Sequence, residues 1–324
     1  MEILEGLNPA QTQAVQAADG PVLVLAGPGS GKTRVLTHRI AQLIQVRGIP
    51  AYHILAVTFT NKAAREMISR LNQLIGSDTS RLTIGTFHAT CARILRREGH
   101  YVGLDSNFVI YDQDDQRRLV ARILRDLELD PAMYRPASVL NAISRAKNDL
   151  ITAQTYRPPT YWHEGVARVF TEYEKQKAQN NALDFDDLLL KAEELFRVYE
   201  DVRERYQRRY WHILVDEFQD TNKAQYELLL RLASERRNIF VVGDEDQSIY
   251  GWRGADFRNV LRFREAFPQA KVYLLEQNYR STQTILDAAR AVISHNAQRT
   301  EKKLWTDNDE GCPISLIEAY DERE

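Results

Sequence analysis

The octapeptide Ala26-Gly27-Pro28-Gly29-Ser30-Gly31-Lys32-Thr33 constrains this chain more than any other stretch. An apolar run at 21–25 leads into it, and behind it Val35, Leu36, Ile40, Leu43 and Ile44 recur at helical spacing. Strand, glycine-rich loop and helix, in that order, form the setting of a Walker A phosphate loop. Glycines let backbone N–H groups curl around an anion, and the helix that follows adds the positive end of its dipole. Lys32 then reaches the terminal phosphates, and the Thr33 hydroxyl ligates magnesium. Ala26 stands where the pattern has its first glycine, while Gly27, Gly29 and Gly31 remain to shape the loop.

The rest of the composition narrows the class. A chain of 324 residues has room for about two domains. With 44% hydrophobic and 27% charged residues it reads as soluble and globular. No apolar run approaches the ~20 residues of a membrane span, and no signal-peptide pattern opens the sequence. Cys91 and Cys312 form no metal spacing and suit a reduced compartment, so a cytoplasmic protein is expected. The net charge of −2 does not announce a nucleic-acid binder, so any such binding must use a local surface.

Ahead of the loop, Asn8 suits a helix N-cap and Pro9 the first helical position, which places Gln11 one turn in. Two readings fit Gln11. Its amide can donate to and accept from an adenine edge at once, or it can simply face solvent. Downstream, strands are expected at 54–59 and 82–85. Phe59, Asn61 and His88 follow them, at the edge where open α/β sheets bind ligands. Asn61-Lys62 matches the start of a guanine-reading NKxD box, but Ala63-Ala64 follow, which argues against a GTPase.

From 105 to 182 the texture turns helical, with helices expected at 112–127, 138–147 and 161–178. Arg117, Arg118, Arg122, Arg125, Arg145 and Lys147 decorate them as a solvated face or a DNA contact. Leu183-Asp184-Phe185-Asp186-Asp187-Leu188 brings the chain back. Its acids suit either a metal or a helix N-terminus. The apolar run at 212–215 then ends in Asp216-Glu217, the Walker B form, where Asp holds magnesium and Glu polarises the attacking water. A strand at 238–242 leads to Gln247, suited to sensing the γ-phosphate. Beyond it, Tyr250, Trp252 and Arg253 crowd a glycine-rich loop and suit base stacking. After a strand at 272–275 come Tyr279 and Arg280, the latter able to reach across a cleft to phosphate. A last strand is expected at 313–317.

Taken in order, these stretches resemble the UvrD/Rep/PcrA family of superfamily-one DNA helicases across essentially the whole chain. The carriers run from the glutamine stretch at 7–15 and the phosphate loop through 57–67, Gly85-Thr86-Phe87-His88 and 184–188. They continue with 215–221, 242–254, 277–281 and Lys303-Leu304-Trp305-Thr306. The resemblance implies an α/β fold: a RecA-like P-loop NTPase domain with a parallel sheet over 1–104 and 183–275. It further implies an all-helical insertion at 105–182 and a partial second RecA-like domain from 276 to 324. It implies an ATP-dependent 3′–5′ helicase that moves on single-stranded DNA, with ATP and Mg²⁺ as cofactors, single-strand/duplex junctions as substrates and duties in repair or replication near the nucleoid.

By position, the resemblance assigns nucleotide contacts to Gln11, the loop 26–33, Arg34, Tyr279 and Arg280, and magnesium to Thr33 and Asp216. Catalysis falls to Lys32, Asp216, Glu217, Gln247 and Arg280. The single-strand path falls to Phe59, Asn61, His88, Phe185, Tyr250, Trp252 and Arg253. The sequence stops soon after the motif at 277–281, so the expectation is the first part of a longer helicase that binds nucleotide but hydrolyses it slowly. The helicase portion of a RecB/AddA-type helicase–nuclease, or a nucleotide-gated DNA-binding module without turnover, are the alternatives.

Overall fold

The computed structural model describes residues 3–251, 254–296 and 299–318. In chain order the first part runs α1 (Pro9–Val15), β1 (Val22–Ala26), α2 (Lys32–Gln45), β2 (Ile54–Thr58), α3 (Asn61–Ile75), β3 (Thr83–Thr86) and α4 (Phe87–Glu98). A helical stretch follows: β4 (Val109–Ile110), α5 (Gln113–Asp126), α6 (Pro136–Asn148), α7 (Tyr161–Gln179) and β5 (Ala182–Leu183). The chain then continues through α8 (Phe185–Val198), α9 (Glu200–Arg209), β6 (His212–Val215), α10 (Lys223–Ala233), β7 (Ile239–Gly243), α11 (Asn259–Ala266), β8 (Lys271–Leu275) and α12 (Gln283–Ile293).

Six strands form one sheet in the order β3-β2-β6-β7-β1-β8, every pairing parallel. Parallel strands are buried on both faces and so read as continuous apolar runs. Every residue of β1, β2, β6 and β7 is buried, although successive side chains still part to opposite faces. Leu23, Leu25, Leu55, Val57, Ile213, Val215 and Val241 enter a core with residues of α4, α8, α9, α10 and α11. Val22, Val24, Ile54, Ala56, Leu214, Phe240 and Val242 enter a second core with residues of α1, α2 and α3. This is the α/β, RecA-like parallel-sheet architecture that the resemblance implied. A parallel sheet puts all six carboxyl ends on one edge, where ligands bind in open α/β sheets.

Helix starts are written locally. Thr60 caps α3 by accepting from the Ala63 N–H, Thr86 caps α4 from Ala89, and Asn222 caps α10 from Gln225. Asp112 and Asp184 form capping boxes at α5 and α8. Each such cap contributes roughly 1 kcal/mol. Helices α5, α6 and α7 close on a core of their own, with Val120, Ile123, Val139, Val166, Phe170 and Tyr173. Strands β4 and β5, too short to stand out in the sequence, pair in parallel where this helical stretch leaves and rejoins the chain.

Two expectations are corrected. Lys147 does not decorate a solvated face: it is 1% exposed, and its ammonium lies 2.6 Å from Asp184 and 2.6 Å from Asp187. Helical spacing marks a face but not what covers it, and α8 covers this one. Residues 313–317 form no strand; Ile314, Leu316 and Ile317 are exposed, since no strand among the described residues pairs with them. No helix among the described residues is long and apolar enough to cross a membrane.

Candidate active site

The phosphate loop turns between β1 and α2 with Gly29 and Gly31 at φ of +65° and +86°, a left-handed conformation that side chains resist. The carbonyls from Gly27 to Gly31 are each engaged within the protein. Gly27 accepts from Ser30 Oγ at 2.7 Å, Pro28 from Asn278 Nδ2 at 2.6 Å and Gly29 from the Tyr279 N–H at 3.0 Å. Ser30 accepts from Gln11 Nε2 at 2.9 Å and Gly31 from the Val35 N–H. By contrast, the N–H groups of Gly29, Gly31, Lys32 and Thr33 bond to nothing among the described residues. The loop is thus a set of outward donors at a helix N-terminus, which is what a phosphate chain requires.

Lys32 sits over these donors. Its ammonium donates to Gln247 Oε1 at 3.1 Å and pairs with Glu217 Oε2 at 3.2 Å. The end of β1, the end of β6 and the turn after β7 therefore meet on one lysine. The Thr33 hydroxyl donates to Asp216 Oδ2 at 3.3 Å. Asp216 is 2% exposed; burial and the neighbouring Glu217 push its carboxyl up to about 6. Asp220 close by is likewise pushed up to about 6 by burial and Glu217, and its Oδ1 is buried without a partner. In both carboxyls burial and Glu217 outweigh the opposing charge of Lys32. A hydroxyl and a carboxylate side by side are hard oxygen donors of the kind magnesium takes, together with phosphate oxygens. The donor set fits that ion.

Glu217 follows β6 at φ +49°, a strained setting for a residue with a side chain, and such strain gathers at functional sites. Gln219 holds it, donating from Nε2 to Glu217 Oε2 at 2.9 Å while its Oε1 accepts from the Asp244 N–H at 2.9 Å. The third acidic neighbour, Asp244, takes Gln247 Nε2 at 2.5 Å.

At the other side of the loop Gln11 is fully buried, which removes the solvent-facing reading. Its Oε1 accepts from the Asn8 N–H at 3.0 Å as its Nε2 reaches Ser30. Asn8 Nδ2 in turn donates to the Tyr279 hydroxyl at 2.9 Å, so Gln11 and the half-exposed Tyr279 are joined through one asparagine. Arg280 is exposed, and a methyl placed on Gly29 would come within 2.8 Å of its Cβ. The Arg34 guanidinium lies against Gly6.

Of the expected DNA-path residues, His88 and the exposed Phe185 meet edge to face with centroids 6.0 Å apart, and burial lowers the His88 pKa. Phe59 packs edge-on against Phe87 at 6.4 Å, Asn61 is exposed at the start of α3, and Tyr250 is half-buried. Trp252 and Arg253 lie outside the described residues. Sequence reasoning missed Asn278, Gln219 and Lys302. The first two stand inside quoted motifs, whereas Lys302 sits in a charged stretch with no signal at all. A cavity of about 760 Å³ opens beside α5, lined by Arg118, Arg122, Arg125 and Tyr134, away from this chemistry.

Comparison with known proteins meets this geometry. The family described as "UvrD/REP helicase N-terminal domain" matches residues 7–268, and "UvrD-like helicase C-terminal domain" matches 273–324. Relatives described as "ATP-dependent DNA helicase PcrA" include that of Leuconostoc citreum, 48% identical over 99% of this chain and 43% of its own length. That of Bacillus subtilis is 48% identical over 99% and 44%, and that of Staphylococcus aureus 47% over 99% and 44%. The chain thus spans less than half the length of these relatives.

Proposed function

Because this chain belongs to the UvrD/REP helicase family, we propose that it is the nucleotide-binding part of an ATP-dependent DNA helicase that moves 3′ to 5′ on single-stranded DNA. Junctions of single and double strand are its substrates, in repair or replication, in the cytoplasm near the nucleoid. The observation that carries the reading is the phosphate loop, with the carbonyls of 27–31 engaged and the N–H groups of Gly29, Gly31, Lys32 and Thr33 left to an anion.

On this reading the free N–H groups and Lys32 hold the β- and γ-phosphates. Tyr279 stacks on the base, and Gln11 reads its edge once its amide swings out from between Asn8 and Ser30. Thr33 and Asp216 hold magnesium, which supplies positive charge between the phosphates when bound. Glu217, steadied by Gln219, accepts the proton of the attacking water. Gln247 orients toward the γ-phosphate and Arg280 adds charge to it. Single-stranded DNA crosses the same sheet edge over Phe59, Asn61, His88, Phe185, Tyr250, Trp252 and Arg253. Residues 1–104 and 183–275 form the motor domain, 105–182 a helical insertion, and 276–324 the start of a second motor domain.

Titration of the chain with Mg–ADP tests the reading. Lys32→Ala is expected to abolish measurable binding while the protein stays folded, and an unchanged titration would remove the phosphate-loop assignment. Glu217→Gln separates a turning-over enzyme from a nucleotide-gated binder. It should retain nucleotide affinity and lose phosphate release by about 10²–10⁴; an enzyme unaffected by it uses another base.

A further inference from the structure

Behind Gln247 stands a group of ion pairs, with Asp244 and Lys302 buried, that the helicase reading does not use. Lys302, after α12, is 4% exposed and places its ammonium 2.7 Å from Asp244 Oδ1 and 3.1 Å from Asp246 Oδ2. Arg299 joins the same Asp246 at 3.3 Å, and the Thr300 N–H donates to Glu245. Three successive acids after β7 are thus each held by the segment 299–302. Asp244 itself is 0% exposed. Its other oxygen takes Gln247 Nε2, and Gln247 Oε1 faces Lys32.

An amide can sit either way round, and what fixes it is the character of its two neighbours. An ionised carboxylate only accepts, so Asp244 forces the Gln247 nitrogen inward and the oxygen outward. A carboxylate this deep stays charged only beside a cation, because a lone buried charge is costly. Lys302 is that cation. Burial disfavours its charge, but Asp244 and Asp246 outweigh this and hold the ammonium above the ordinary lysine range. The segment bearing Lys302 also continues into residues 303–306, which pair with 276–278, next to Tyr279 and Arg280. The relay Lys32–Gln247–Asp244–Lys302 therefore ties the phosphate loop to the second unit of the chain.

We propose that Lys302 is a positioning residue: by clamping Asp244 it sets the orientation of the Gln247 amide and so lets the second unit govern recognition of the γ-phosphate. The proposal rests on the nucleotide reading above. Its test compares the affinity of the chain for Mg–ADP with that for Mg–ADP–beryllium fluoride, a γ-phosphate mimic, by calorimetry. The wild type should prefer the mimic. Lys302→Met should reduce that preference about tenfold, the worth of one charge-assisted hydrogen bond, with ADP affinity unchanged, and Lys302→Arg should restore most of it. The pair Lys302→Met/Asp244→Asn removes the stranded charge and keeps the volume, so it covers the case in which the single variant does not fold; it should show the same lost preference. A preference that survives in the folded variants overturns the clamp, as does a parallel fall in ADP affinity, which marks a purely structural lysine. A wild type that binds ADP and the mimic equally also overturns it. A wild type that binds neither overturns the nucleotide reading and the clamp together.

Discussion

His212 shows how far a single residue's environment departs from its letter. It opens β6 and is 5% exposed, with its Nε2 4.0 Å from Asp19. Burial, reinforced by Arg39 and Arg47 and opposed by Asp19, lowers its pKa to about 4. The imidazole is therefore neutral in the fold, while the unfolded chain takes up a proton below about 6.5. Stability from this group is complete above pH 6.5 and is lost as pH falls toward 4, on the order of 3 kcal/mol in all. Asp216 and Asp220, held near 6, act in the opposite sense, so the contrast between variants is the clean measurement. In urea denaturation between pH 7 and 4, the stability of the wild type relative to His212→Gln should fall as pH falls, by on the order of 3 kcal/mol. Parallel curves would mean that His212 titrates normally in the fold. At the same scale, Phe185→Ala should weaken single-strand binding by about 1–3 kcal/mol irrespective of base sequence. A loss confined to one sequence would instead mean reading of base edges.

Among the elements, α8 is the junction of the two parts of the chain. Its capping acids Asp184 and Asp187 are 2% and 1% exposed, and Lys147 of α6 and Lys177 of α7 reach both. The Tyr173 hydroxyl donates to Asp184 at 3.0 Å, and Glu174 completes the group. Glu174, Asp184 and Asp187 lie close enough to hold a metal, but the two ammonium groups already sit among them. Of the two readings open for the acids at 184–187, the structure bears out the helix start: Asp184 and Asp187 form the capping box of α8. The cluster binds the helical stretch to α8, which also presents Phe185. Lys147→Met strands a buried carboxylate and is expected to cost about 3–5 kcal/mol. Adding Asp187→Asn should recover part of that. Chemical denaturation checks both, and a loss below about 1 kcal/mol would mean that the pair is solvated in solution.

Over the whole molecule, the phosphate loop is bordered by residues far from it in the chain. Leu304 lies over Gly27, and Asn278, 1% exposed, bonds Pro28 while its Oδ1 accepts from the Arg280 and Ser281 N–H groups. On the proposed function, nucleotide and the segment 276–306 share one loop. Mg–ADP is expected to slow proteolysis within 276–306 of the wild type, and Asn278→Ala to weaken that protection. Equal protection in both proteins would show that the asparagine does not transmit binding.

What the sequence determined by itself lies within a few residues of chain. The phosphate loop, the acids ending β6, the cap at Asn8, and the helices near 112–127, 138–147 and 161–178 were all legible there. Turn chemistry, capping and apolar period act between near neighbours, so spacing alone encodes them. Tertiary structure decided the rest. The order β3-β2-β6-β7-β1-β8 joins strands distant in sequence, and 313–317, apolar enough for a strand, found no edge to pair with. Lys147 and Lys302 carry the same letters as solvated lysines, and only partners 37 to 58 residues away bury them. An ion pair is specified by position in space, and a charge run in a sequence does not say which of its members will be enclosed.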